Sequence, residues 1–476
     1  MESHAQSVED YLIEGLSFKL PAGASYVENR RSVSFFPQGG NSYSANGVKV
    51  IRIALTGDGW LDPSTVRIMY DLNNTTAIMI QNPAAPTDPL NLIPSGKILR
   101  TISGPWSFIR RMRLLAGGTV IEDIDNYNRT HEQFHNLVSK DKYINDTVEG
   151  FGTAADITRI RNVDPDGAFP QNAQNYFGIS PGRAKTALFK PLSGLFTQTK
   201  FIPLRYCPLV LEFELVNDAT EPCIWTGTQT STDATVFTWK NLSVEWLISQ
   251  VQLKCDLVTL DNTLNNEYAE HLLSGKALPI NYDTYISQMQ TMSGQVFSCN
   301  VTRSLTRLKS VFITFDGVSS GENPVDGGIP LTGTEARKSF NDFYHPSGDW
   351  TEHFQDKDLE IQIQIGSKLY PEYPIKSISE AFTQLAKCLG INNSAFHGVN
   401  IRYFDYRSCK FIVGIDTEKI LEAGFTGLNT KAGDLMTIKV KHGSAVDTTR
   451  LCTRMYITLH SDQILNIRDT GVEVFD

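Results

Sequence analysis

The sequence predicts an all-β chain of two consecutive antiparallel sandwiches with a few short helices and long loops. Three observations carry this. Apolar residues alternate with polar ones at period two in many segments, the segments are separated by long Gly-, Pro-, Asn- and Asp-rich stretches, and helical periodicity is scarce. With 476 residues the chain has room for two or three domains. Its 41% hydrophobic and 20% charged content is that of a globular protein and excludes a mainly disordered one.

In the first half, the strand expectations are Ser32–Phe36, Val48–Thr56, Thr65–Leu72, Leu99–Ser103, Phe108–Ala116 and Leu209–Leu215. In the last of these Leu209, Leu211, Phe213 and Leu215 share one face, while Glu212 and Glu214 point the other way. Leu242–Cys255 and Ser310–Asp316 follow. Leu359, Ile361, Ile363 and Ile365 then alternate with Glu360, Gln362 and Gln364. Phe411–Ile415, Met436–Val440, Met455–Leu459 and Val472–Val474 complete the set. Helices are expected at Tyr127–Ser139, Thr263–Leu273 and Ser377–Gly390, the last with Ser377 and Glu380 at capping-box spacing and Gly390 as its stop. Long loops are expected at Asn73–Ser95, Asp164–Pro203 and Gly317–Gly333.

The Thr-, Ser-, Asp- and Gly-rich stretch Asn217–Thr238 suggests a boundary. The expected division is an arm at 1–25, a first sandwich at 26–220, a linker at 221–240 and a second sandwich at 241–476. The halves share no residue-level repeat.

Charge and targeting signals narrow the function. The net charge is −9, the first 20 residues hold one Lys and no Arg, and no basic arm is present to neutralise phosphates. Strong direct nucleic-acid binding is therefore not expected. The N-terminus lacks the pattern of a signal peptide, and no apolar run approaches the ~20 residues of a membrane-spanning helix. Seven cysteines without a C-x-x-C point to packed thiols rather than disulfides or a zinc ribbon. The seven N-x-S/T sequons read as by-products of composition.

One motif bears on catalysis. His131-Glu132-Gln133-Phe134-His135 is a literal H-E-x-x-H, which on a helix places two imidazoles for zinc and a glutamate as general base. Val138 and Asp141 stand where a metzincin has Gly and His, and no third-ligand motif follows. The expectation is an exposed polar helix face with Phe134 turned inward, no bound zinc, and a Glu132→Gln variant that folds normally. A zinc-dependent hydrolase is the alternative function. A carbohydrate-binding sandwich, the third reading, would need an export signal. No nucleophile elbow, Walker loop or dinucleotide fingerprint occurs, and Asp164–Gly167 and Asp326–Gly328 read as turns. No catalytic, metal or cofactor residue is assigned. Arg110, Arg111 and Arg113 form a short basic strand expected to be a solvated face; they, or Arg159 and Arg161, are the only candidates for a local phosphate-binding patch.

Three segments carry a family resemblance: Phe108–Asn128 (FIRRMRLLAGGTVIEDIDNYN), Ile202–Val216 (IPLRYCPLVLEFELV) and Asp261–Tyr285. Together they resemble the major capsid proteins of polinton-like viruses, virophages and related eukaryotic DNA viruses. The resemblance implies a double jelly roll, two eight-stranded sandwiches side by side, with three chains forming a pseudo-hexagonal capsomer of an icosahedral virion. It implies as partners further copies of the chain, neighbouring capsomers, pentamer and minor capsid proteins, and an internal lipid membrane where one is present. It implies a structural protein without cofactors, placed in the virion.

Overall fold

The computed structural model describes residues 26–81, 91–94, 97–99, 101–151, 178–223, 242–316, 343–347, 359–391, 394, 398–408, 410–420, 425–431, 435–443 and 452–475. The principal elements of the first half are β1 (Val27–Phe35), β2 (Val50–Leu55), β3 (Trp60–Asn74), β4 (Ile109–Ala116), β5 (Thr119–Asp125), α1 (Tyr127–Asn136), α2 (Lys140–Glu149), β6 (Ala184–Phe189), β7 (Leu209–Leu215) and β8 (Trp246–Leu260). After α3 (Asn262–Leu273) come β9 (Leu278–Thr291), β10 (Val296–Val301), β11 (Leu308–Asp316), β12 (Glu360–Ile365), β13 (Lys368–Ile375), α4 (Ile378–Cys388), α5 (Tyr403–Ser408), β14 (Ile412–Asp416), β15 (Met436–Lys441), β16 (Arg454–Arg468) and β17 (Gly471–Phe475).

The pairing is that of two jelly rolls. In the first, the sheet β1–β8–β3–β6 faces the sheet β2–β7–β4–β5. In the second, β9–β16–β11–β14 faces β10–β15–β12–β13, with β17 extending the first of these along β16. Numbered within each half, both rolls run 1-8-3-6 against 2-7-4-5. The duplication is one of topology, and it extends to the helices: α1 and α2 lie between the fifth and sixth strands of the first roll, α4 and α5 between those of the second. The strands alternate as expected, with β7 burying every second residue from Leu209 to Leu215. Each roll has its own apolar core, containing Ile53, Leu61, Phe213 and Leu253 in one and Val311, Ile363, Ile438 and Ile457 in the other.

The expected domain boundary needs correction. Trp246–Leu260 pairs with β1 on one side and β3 on the other, in register Ser32↔Asp256 and Leu253↔Ile68. It is the eighth strand of the first roll. The first roll therefore runs to Leu260, and α3 opens the passage to the second. The Thr- and Ser-rich stretch therefore precedes the last strand of the first roll in sequence, and its residues 224–238 lie outside the described residues.

Several elements differ from expectation in extent. β3 starts at Trp60 and tolerates Pro63, because the register with β8 breaks between Lys254 and Asp256 and spares the ladder a missing donor. Of the expected strand at Leu99–Ser103, Leu99 belongs to the two-residue strand Ile98–Leu99 and Thr101 bridges Cys223; the chain then turns into a 3-10 helix, Pro105–Phe108. Helix α2 was not expected; Ser139 caps it by accepting from the Lys142 N–H. At α4, Ser377 accepts from the Glu380 N–H while Glu380 accepts from the Lys376 N–H, and Gly390 adopts φ +67° beyond its end. The loop 317–333, residues 164–177 of the expected loop Asp164–Pro203 and the proline-rich part of Asn73–Ser95 lie outside the described residues, and the rest of Asp164–Pro203 contains the strand β6, which was not expected.

Candidate functional site

Helix α1 lies where the rolls meet, and both its faces are covered. Toward the first roll, His131 stacks on Trp106 with ring centroids 4.1 Å apart and an interplanar angle of 15°, and its Nε2 lies 3.1 Å from the Lys190 carbonyl oxygen. His135 stacks on Tyr143 at 4.6 Å and touches Trp106 at 4.7 Å. Between them Glu132 accepts from Trp106 Nε1–H at 2.8 Å, from Asn136 Nδ2–H at 3.3 Å and from Ser103 Oγ–H. Burial drives the pKa of both histidines down to about 4, so they pack as neutral rings.

The H-E-x-x-H helix is thus buried, against the expectation of an exposed polar face. The reason is non-local: Ser103 and Trp106, on the short turn before β4, supply donors that compensate the buried carboxylate. Its imidazoles are committed to aromatic packing, and no group of three metal-ligating side chains occurs among the described residues. The residual space beside Trp106, Glu132 and Tyr143 is about 10 Å³, no more than one water requires. The arrangement can hold a helix in place; it leaves no room for a substrate.

Toward the second roll, Phe134 meets Tyr285 at 4.6 Å and Phe312 at 5.2 Å. Phe134 is turned inward as expected, but into the other roll. Arg129 is buried with its guanidinium 4.5 Å from the Phe343 ring centroid and 4.4 Å from that of Tyr456, and it donates to the Phe315 carbonyl oxygen at 2.8 Å. Nothing local in the sequence marks Arg129, because all of these partners lie in the second roll.

A second contact joins the rolls through β5. Glu122 accepts from Ser193 Oγ–H and from the Gly194 N–H at 2.7 Å, and burial raises its pKa to about 7. Gly194 rests on the backbone of β9: a Cβ there would lie 1.3 Å from the Asp283 carbonyl oxygen. Tyr282 on β9 donates to Gln463 Oε1 at 2.7 Å and to the Ile121 carbonyl oxygen at 3.3 Å. Asp283 stands opposite Asp462, with Lys309 Nζ 3.1 Å from the first and 3.5 Å from the second. Burial opposes charge on both. Bonds from His460 and Asp462 and the charge of Lys309 hold Asp283 below the ordinary carboxylate range, while Asp462 is pushed above it.

The basic strand is neutralised across its own sheet. Arg110 pairs with Glu214 at 3.6 Å, Arg111 with Asp123 through two bonds of 2.6 and 2.8 Å, and Arg113 with Glu212 at 3.0 Å. These residues form a half-exposed ladder of alternating sign rather than a basic patch. Arg159 and Arg161 lie outside the described residues.

No family model matches the sequence, and no curated protein matches it. Solved structures do. The crystal structure of PBCV-1 VP54, fitted into a reconstruction of the virophage Sputnik, superposes with a TM-score of 0.60 at 12% identity, covering 97% of this chain and 100% of that one. The structure of the Sputnik virophage gives 0.54 at 12% identity, over 96% of this chain and 90% of that one. The Faustovirus major capsid protein gives 0.51 at 8% identity, over 96% and 94%. Coverage runs through both halves in each case, and the chain has the double jelly-roll fold.

Proposed function

We propose that this chain is the major capsid subunit of an icosahedral DNA virus and that its work is assembly rather than catalysis. The observation that carries the reading is the repetition of one strand order in two rolls joined into a single body. A subunit with two similar rolls gives a trimer six lateral faces, so three chains tile a hexagonal lattice. The similarity to solved virus structures, among them the Faustovirus major capsid protein, supports the same reading.

The assembled form on this reading is a homotrimer with a pseudo-hexagonal outline, packed in the virion against neighbouring capsomers. Pentamer and minor capsid proteins complete the shell. Contact with the genome passes through basic partner proteins or a lipid layer, since the subunit carries a net charge of −9 and Arg110, Arg111 and Arg113 are paired with carboxylates. The burial of both faces of the H-E-x-x-H helix favours packing over hydrolysis. Light scattering on the purified chain tests the assembly: a stable trimer at micromolar concentration is expected, and a monomer with no higher species contradicts it.

A further inference from the structure

The two rolls of one chain meet edge to edge. β5, fifth strand of the first roll and last in its sheet, packs on β9, first strand of the second roll and last in its own sheet. Tyr282 on β9 donates across this contact to the Ile121 carbonyl oxygen on β5. Because both rolls share one strand order, the chain holds a second pair of corresponding strands: β13, fifth in the second roll, and β1, first in the first roll. These also end their sheets, β13 bordering only β12 and β1 only β8.

Among the described residues nothing covers either strand. No residue of β1 is buried, and in β13 only Ile375 is. Tyr373 on β13 is 77% exposed, and Phe36, next after β1, is 63% exposed. Each strand also carries one exposed acid and one exposed base outside any ion pair among the described residues, Glu28 and then Arg31 on β1, Lys368 and then Glu372 on β13. The order of signs is opposite on the two strands. Laid side by side in the same direction, they set acid against base at both positions.

We propose that β13 of one copy seats against β1 of a second copy, repeating between chains the contact that β5 and β9 make within one. The inference names the surface of the self-association proposed for this chain and rests on that reading. The interface is head to tail: each chain offers β13 on one side and β1 on the other, so copies add in sequence until the ring closes. Every such contact covers two open sheet edges, which are otherwise sites of unregulated pairing. It also takes Tyr373 and Phe36 out of water, as aromatic anchors of an interface.

Light scattering on the full-length chain and two surface variants tests it, with circular dichroism to confirm folding. Tyr373→Arg spoils the β13 side and Ser34→Trp the β1 side. Each variant alone is expected to lose the trimer and run as a monomer at the micromolar concentrations where the parent chain is trimeric. Mixed, the two are expected to give a 1:1 dimer, because one intact β13 meets one intact β1 and the ring cannot close. Should either variant not fold, the charge reversals Glu372→Lys and Arg31→Glu take their places. A parent chain that is itself monomeric defeats the self-association reading and this surface with it. A trimeric parent whose variants remain trimeric, or whose mixed variants stay monomeric, overturns this surface alone and leaves β1 and β13 to another occupant, such as residues 1–25 of the same chain.

Discussion

Arg129 donates a 2.8 Å hydrogen bond to the carbonyl oxygen of Phe315, so a helix between strands of the first roll ends its longest side chain inside the second. The guanidinium is held between the rings of Phe343 and Tyr456. A buried cation stacked on two aromatic faces depends on planarity and on the direction of its donors, which lysine does not reproduce. Arg129→Lys is expected to destabilise the chain by about 1–3 kcal/mol. Thermal unfolding checks this; a midpoint equal to the parent's would show that the contact contributes nothing.

Glu132 is a structural acceptor. Glu132→Gln replaces one carboxylate oxygen by a donor facing the donors of Ser103 and Trp106, and a loss of about 1–3 kcal/mol is expected. This replaces the expectation, drawn from the motif alone, that the substitution is neutral. Metal analysis of the purified chain is expected to find substoichiometric zinc. One tightly held zinc per chain, lost in His135→Ala together with a hydrolytic activity, would reinstate the motif as a metal site.

The neutral histidines give a pH dependence of defined sign. His131 and His135 titrate at about 4 when folded and near 6.5 when unfolded, so between these values the unfolded chain binds more protons. Their contribution is complete above pH 6.5 and is lost as pH falls through about 4. Glu122 acts in the opposite sense over about the same window, its contribution falling as pH rises from 4.5 toward 7. Denaturant midpoints across this range should therefore show a steeper gain in stability with rising pH in Glu122→Gln than in the parent chain. Identical slopes would contradict the assignment.

Gly194 is needed for space rather than for flexibility. A methyl group there meets the Asp283 carbonyl oxygen at 1.3 Å, which no rotamer change relieves. Gly194→Ala is expected to part the loop from β9, lowering the thermal midpoint and raising amide exchange in Ser193–Leu195, by an amount equivalent to about 2–4 kcal/mol. An unaffected midpoint would place the contact outside the folded chain's requirements.

Most of the strands were legible because half-buried antiparallel strands print their alternation on the sequence, as Leu209–Leu215 and Glu360–Ile365 do. The strands Thr119–Asp125, Ala184–Phe189, Leu278–Thr291, Val296–Val301 and Lys368–Ile375 were not expected, and other misses depend on partners far away in the chain. Trp246–Leu260 reads as a strand, but only its pairing with residues 27–35 and 60–74 reveals which roll owns it. Polar residues in α1 read as solvated until Ser103, Trp106 and Tyr143 are seen around them. Arg129 and Glu122 carry no local signal at all, since what defines them is burial between two domains.

Two like rolls in one subunit are proposed to build a three-fold, hexagonal capsomer. Electron microscopy of the purified chain tests it most directly. The expected result is three-fold particles with a hexagonal outline and two rolls per chain at the six corners. Isolated two-roll monomers, or two-fold particles, would contradict it.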